Sequence, residues 1–202
     1  MVELQHTQPE PTVLAAYKGI YPSETNFDAK TFIDVKPAIR AALNKDQGGL
    51  CVYCERKLSA TRGQIDHIKP KSGPNAQPAL TFTYSNYAHS CITEGRQSTC
   101  GQQKKHGVLP IEPTLGCNTQ WVLSTSDGKL EPKLGLTRKQ QAPVRLTCDM
   151  LGLNTNAVLV AERLEWAQKY IEVLKLAAAQ GNPALANQFL QIAPFRHILK
   201  TI

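Results

Sequence analysis

Apolar residues recur at helical spacing near the start of this chain and again over its last third, with a stretch of different texture between. Over residues 32–46, Val35, Ile39, Ala42 and Leu43 share one helical face, Pro37 suits a first-turn position, and Gly48 and Gly49 stop the helix. From residue 142 onward the pattern is helical again. Leu159, Val160, Leu164, Ala167, Ile171, Leu174 and Ala178 line one face of a segment entered through Asn154 or Thr155 and stopped by Gly181 and Pro183. A short helix over 184–192 ends before Pro194. Ahead of these, two apolar runs at 121–124 and 130–132 flank Ser126-Asp127-Gly128 and predict a hairpin with Asp-Gly at its turn. Residues 1–30, rich in Pro, Thr, Gln and Asn, read as a loosely ordered arm with no chemistry. Between about 50 and 109 stand short strand-like pieces, turn residues and most of the reactive side chains. The expected fold is α+β in three segments: an arm and helix over 1–48, a functional module over 49–110, and a hairpin with helices over 111–202 that packs or docks a partner.

Size and charge narrow the partners. A chain of 202 residues buries a sizeable core without disulfides. Lys and Arg number 23 against 16 Asp and Glu, a net charge of +7, which favours a polyanionic partner, nucleic acid above all; a solvated basic surface is the plain alternative. Residues 1–11 hold no apolar stretch of signal-peptide length. No run elsewhere approaches the roughly 18 apolar residues of a membrane span. These features point to a cytoplasmic protein with no membrane partner, where six cysteines are expected as metal ligands or free thiols rather than disulfides.

Spacing separates those two uses. Cys51-Val52-Tyr53-Cys54 has the two-residue spacing of a zinc knuckle, and Cys91 and Cys100, joined by a polar loop, supply a second pair. A redox Cys-x-x-Cys would open a helix after a buried strand, whereas Glu55-Arg56-Lys57 leads into a polar turn. Four thiolates from two chain segments close a structural Zn²⁺ site, with four unrelated core cysteines as the alternative. Cys117 and Cys148 lack a matching spacing and are assigned to packing.

Between the pairs, Gln64-Ile65-Asp66-His67-Ile68-Lys69 is a β-type run ending in an acid and an imidazole, and Pro70, Gly73 and Pro74 then force a loop. Tyr84-Ser85-Asn86-Tyr87 follows, and Gln102-Gln103-Lys104-Lys105-His106 comes after Cys100. The order Cys-x-x-Cys, Asp-His, Asn, Cys, Cys, Lys resembles the HNH endonuclease family, whose ββα-metal fold seats a catalytic ion between a hairpin and a helix. Within it, the motifs above and the later Leu151-Gly152-Leu153-Asn154, followed by a helix with Arg163, look like the HNH subunits of Septu-type and retron-associated phage-defence systems. That likeness spans residues 30–175. In those systems the nuclease works with an ABC-type ATPase subunit that restrains or licenses it.

The resemblance implies roles. Phosphodiester hydrolysis needs an aimed hydroxide, a cation to stabilise the pentacovalent state and help for the leaving 3′ oxygen. His67 would be the general base, Asp66 a ligand of Mg²⁺ or Mn²⁺, and Asn86 the residue orienting the His67 imidazole. Lys104 and Lys105 would contact phosphates. One departure concerns the second catalytic ligand, because Gly101 stands where many relatives carry His or Asn. His106 is the first substitute, with Gln102, Gln103 or His89 as others. The plain readings are that His89 hydrogen-bonds near the knuckle and that His106 caps the helix end. The rival for the whole chain is a non-catalytic zinc-stapled module gripping nucleic acid or protein. Asp66, His67 and Asn86 in that order argue against it, since a structural knuckle needs none of them.

Overall fold

The computed structural model describes residues 1–93 and 98–202. The middle of the polar loop expected between Cys91 and Cys100, residues 94–97, lies outside them. Helix α1 (Thr12–Ile20) follows Pro11 and turns Leu14 and Tyr17, three residues apart, inward. Residues 30–35 form a 3-10 turn, and helix α2 begins only at Lys36 and runs to Asp46 (Lys36–Asp46). The later start than the apolar periodicity suggests has a steric reason: inside a longer helix the Pro37 ring would clash with the carbonyl four residues back, but in the first turn it is harmless. Gly48 and Gly49 adopt φ of +58° and +73° and end the helix.

Strands β1 (Gln64–His67) and β2 (Tyr87–Ser90) pair antiparallel, with Asp66 opposite Ala88 and His67 opposite Tyr87. Short helix α3 (Cys100–Lys104) follows. A second hairpin, β3 (Trp121–Leu123) and β4 (Leu130–Pro132), pairs Leu123 with Leu130 around the expected turn. Helix α4 (Arg138–Met150) starts before residue 142 because Thr137 and Gln140 form a reciprocal capping box. Helix α5 (Ala157–Ala179) is capped by the Asn156 side chain, just beyond the two candidates. Helix α6 (Ala184–Ile192) matches expectation, and a single turn, α7 (Arg196–Leu199), ends the chain. No helix of the described residues is long and apolar enough to cross a membrane.

Two cores sandwich the first hairpin. The N-terminal one gathers Leu14, Tyr17, Phe27, Phe32, Ile39, Leu43, Tyr84 and Tyr87, while the larger one contains Val52, Tyr53, Ala88, Trp121, Val144, Leu159 and Phe195. All four residues of β2 are buried, and its alternation sends Tyr87 to one core and Ala88 to the other. The arm over 1–30 is therefore not loose. Met1, Val2 and Leu4 are buried, and the Val2 and Leu4 amides donate to the Val52 and Pro113 carbonyls at 2.8 and 2.9 Å. A further departure concerns α5, whose buried face is Leu159, Arg163, Ala167, Tyr170 and Ala177, rotated from the expected stripe so that a guanidinium enters the core.

Candidate active site and metal centre

The knuckle turn lies across the end of the first hairpin. Leu50 bridges to Lys57, the Val52 amide donates to the His89 carbonyl, and the Gln47 amide group bonds both Leu50 and His89 carbonyls. These bonds hold the Cys51–Cys54 turn against β2, which delivers Cys91, while the first residue of α3 delivers Cys100. The four sulfurs lie within 4.8 Å of one another. Three contacts, Cys51–Cys100, Cys54–Cys91 and Cys91–Cys100, measure 3.7, 3.7 and 3.6 Å. Thiolates about 2.3 Å from one tetrahedral ion stand about 3.8 Å apart, so this donor set fits a closed structural metal site. The Cys91 amide donates to Cys51 Sγ at 3.3 Å. Cys117 and Cys148 are buried free thiols away from it, as packing requires.

The two side chains of the expected catalytic pair have different partners. Strand alternation turns Asp66 toward the knuckle and α3 and His67 toward the N-terminal aromatic core. Asp66 Oδ2 accepts from the Tyr53 hydroxyl at 2.5 Å and lies 3.2 Å from Lys104 Nζ. Burial raises the Asp66 carboxyl above its ordinary value, against the pull of Lys104 and the Tyr53 hydrogen bond. Lys104 also donates to the His67 carbonyl at 2.8 Å and is almost wholly buried; this corrects its expected role, since a side chain so enclosed does not reach out to phosphates. Lys105, by contrast, is exposed. Gly101, the departure from the family pattern, has a geometric reason. A Cβ there would stand 2.9 Å from Asp66 Oδ1 and 2.7 Å from Gln64 Nε2, so any larger residue would have to push one of these side chains aside.

On the other face, His67 Nε2 lies 3.0 Å from the Thr81 carbonyl. A carbonyl only accepts, so the neutral ring carries its proton on Nε2 and presents Nδ1 as an acceptor. Phe27 and Tyr87 meet the ring edge-on, with centroids at 4.5 and 5.1 Å. Burial pushes the imidazole down to about 4, opposed by the bond to Thr81 and reinforced by Lys71 and Lys104. Lys36 and Lys71 in turn stand over the Phe27 ring and pair with Asp28 at 2.9 Å each. Hydrogen bonds from Lys71 and Lys36 hold the Asp28 carboxyl down to about 2.

Other expected roles change. Asn86 does not touch the imidazole. It accepts from the Lys69 amide at 2.8 Å and donates to the Lys69 and Leu80 carbonyls, closing the loop that carries Thr81. His106 bonds Ser72 Oγ at 3.1 Å, and no hydrogen bond joins it to Asp66. Gln102 and Gln103 accept from Thr93 and Ser98. His89 is buried, its Nε2 bonded to the Arg62 carbonyl and its Nδ1 to Asn44, which is the plain reading of that residue. For a hard divalent cation the site thus offers one carboxylate, Asp66, with Oδ1 outside these bonds. Such ions accept one carboxylate completed by waters and substrate phosphate, so Asp66 fits, and among the described residues no second candidate ligand is hydrogen-bonded to it.

Tyr53, Thr81 and Phe27 escaped the sequence reading. Tyr53 sits at a knuckle position ordinarily read as a spacer, Thr81 acts through its backbone, and Phe27 belongs to the apparent arm. Gly101 alone left a signal, standing where many relatives carry His or Asn.

No family model matches the chain. A curated protein of Vibrio cholerae serotype O1 biovar El Tor, "Retron Vc95 putative HNH endonuclease", is 44% identical over 207 aligned residues, which cover 100% of this chain and 99% of that protein. Identity of this extent spans the knuckle, the hairpin carrying Asp66 and His67, and the C-terminal helices alike, and the chain is accordingly a nuclease that belongs to the retron-associated HNH endonuclease family.

Proposed function

We propose that this nuclease hydrolyses phosphodiester bonds, of DNA foremost, in a divalent-metal-dependent reaction in which His67 is the base. The observation that carries the reading is the His67 Nε2–Thr81 carbonyl bond, which fixes the ring orientation and leaves Nδ1 to accept a proton. A water proton passes to Nδ1, the water oxygen bonds phosphorus as the bond to the 3′ oxygen breaks, and the leaving oxygen takes a proton from solvent. Asp66 would hold Mg²⁺ or Mn²⁺, which when bound would supply positive charge for the pentacovalent state. Lys104 and Tyr53 position Asp66, Asn86 positions the Thr81 loop, and Lys105 contacts phosphate. Zn²⁺ held by Cys51, Cys54, Cys91 and Cys100 would join knuckle to hairpin and helix. The retron in the relative's name and the likeness to defence-system subunits support an antiviral role beside an ABC-type ATPase.

Cleavage of plasmid DNA and of a structured RNA, by wild type and His67→Ala with Mg²⁺, Mn²⁺ or chelator, tests this. Metal-dependent cutting lost in a His67→Ala protein of unchanged zinc content is expected. Equal cutting by both proteins would remove His67 from the chemistry. Failure of wild type on both polymers, even when co-purified with the ATPase, would leave a binding module.

A further inference from the structure

Three clefts of about 740, 600 and 580 Å³ adjoin one another on the knuckle side of the molecule. The first two share Lys57, Leu58, Ser59 and Arg62, and the second and third share Gln191 and Arg196. Their cations are Arg40, Arg56, Lys57, Arg62, Arg196 and Lys200, and among the described residues no Asp or Glu lines any of them. In a chain with 16 acidic residues against 23 basic ones, this segregation is marked. Arg56 pairs with Glu162 at 2.6 Å, but Arg40, Lys57, Arg62 and Lys200 have no ion pair among the described residues. Arg40 Nε and Arg56 Nη2 have no hydrogen-bond acceptor there either.

We propose that this trough holds the phosphodiester backbone of a nucleic-acid strand, an inference that rests on the nuclease reading. The first cleft is lined by Gly63, immediately before β1, and His67 ends that strand. Four residues of extended chain span about 13 Å, a few nucleotides at about 3.4 Å each. Arginine forks match phosphate oxygens. An acidic protein surface would match the charge too, yet a protein interface has an apolar centre. Here the two exposed aliphatic residues, Ile92 and Ile192, line different clefts.

Binding is read in the full-length His67→Ala protein, by fluorescence anisotropy of labelled DNA duplex, single strand and RNA hairpin across 50–200 mM salt. Lys57→Glu/Arg62→Glu, both exposed positions, is compared with Lys169→Glu/Lys175→Glu on the exposed side of α5, which changes net charge equally. The trough variant is expected to bind at least tenfold more weakly than the α5 variant, with a salt slope about two units shallower, one unit per phosphate contact. Equal affinities for the two variants, or no binding by the His67→Ala parent, would overturn the proposal. So would loss of co-purification with the ATPase while nucleic-acid affinity stays unchanged, which would make the trough a protein interface. If wild type binds through the trough but never cuts, the nuclease chemistry fails while the trough stands; if it cuts and the trough variant binds and cuts like wild type, the reverse holds.

Discussion

Lys104 and Asp66 form a buried ion pair, Nζ to Oδ2 at 3.2 Å, at the junction of α3 and β1. The Lys104 side chain is fully enclosed, so the two charges are screened little by water. Lys104→Met would leave the Asp66 carboxylate buried without its cation, at a cost of about 3–5 kcal/mol. The expected outcome is a melting temperature lower by roughly 10 °C, with cutting lost. Asp66→Asn in the Lys104→Met background should recover part of that stability without recovering activity. An unchanged melting temperature in Lys104→Met would show the pair to be incidental.

Burial lowers His67 from 6.5 to about 4, and the sign of the consequence is fixed. As pH falls below 6.5 the unfolded chain takes up the imidazole proton and the folded one does not, so stability is lost between 6.5 and about 4 and levels off below. At about 1.4 kcal/mol per pH unit the window is worth about 3 kcal/mol. Urea unfolding at pH 7 and pH 4.5, without added Mg²⁺ or Mn²⁺, should show wild type losing more stability than His67→Gln by most of that amount. Phe27→Ala opens the ring to water, and an NMR titration should find its pKa moved up toward 6.5.

Gly101→Ala tests the close approach of α3. The backbone there is ordinary helix, so alanine is allowed conformationally, but its Cβ would meet Asp66 Oδ1 and Gln64 Nε2 below 3 Å. Cleavage is expected to fall about 10- to 100-fold with zinc content unchanged. Wild-type activity would mean that the carboxylate moves freely.

Arg163 is buried in the large core, donating to the Leu153 carbonyl at 2.6 Å, with Nε and Nη1 unbonded among the described residues. Burial lowers its guanidinium to about 10, while Cys148, Cys54 and Cys100 oppose that shift. A tetrathiolate zinc centre carries two net negative charges, so a buried cation nearby favours the loaded form. Chelator should strip zinc at least tenfold more readily from Arg163→Met than from wild type. Complete stripping should unfold the knuckle in either protein, read by circular dichroism. Equal zinc release would leave Arg163 with only the Leu153 turn to hold.

His106 is exposed and bonded to Ser72, so His106→Ala is expected to change the metal concentration for half-maximal cutting by no more than about threefold. A shift of about 10- to 100-fold, the effect of losing a support of the metal site, would make His106 the second catalytic ligand.

Much of this was legible along the chain. The cysteine spacing announced a four-sulfur cluster because thiolates around one ion must come from tight turns, and Asp-Gly marked the second hairpin because few other dipeptides take that bend. Helices α5 and α6 could be placed from the 3.6-residue period and the glycine and proline stops. Such signals depend on residues a few positions apart. What only the tertiary structure decided involves partners distant in sequence. Tyr53 meets Asp66, Thr81 fixes His67, Phe27 covers it from an apparently featureless arm, and Lys104 turns inward. Likewise Asp66 and His67 read as one motif in sequence, yet the pleat of β1 gives the two side chains different partners, Tyr53 and Lys104 for one and Thr81 and Phe27 for the other. Local sequence dictates which elements form and which residues carry chemistry; which atoms meet depends on how β1, β2 and α3 pack between two cores, and no short-range pattern encodes that packing.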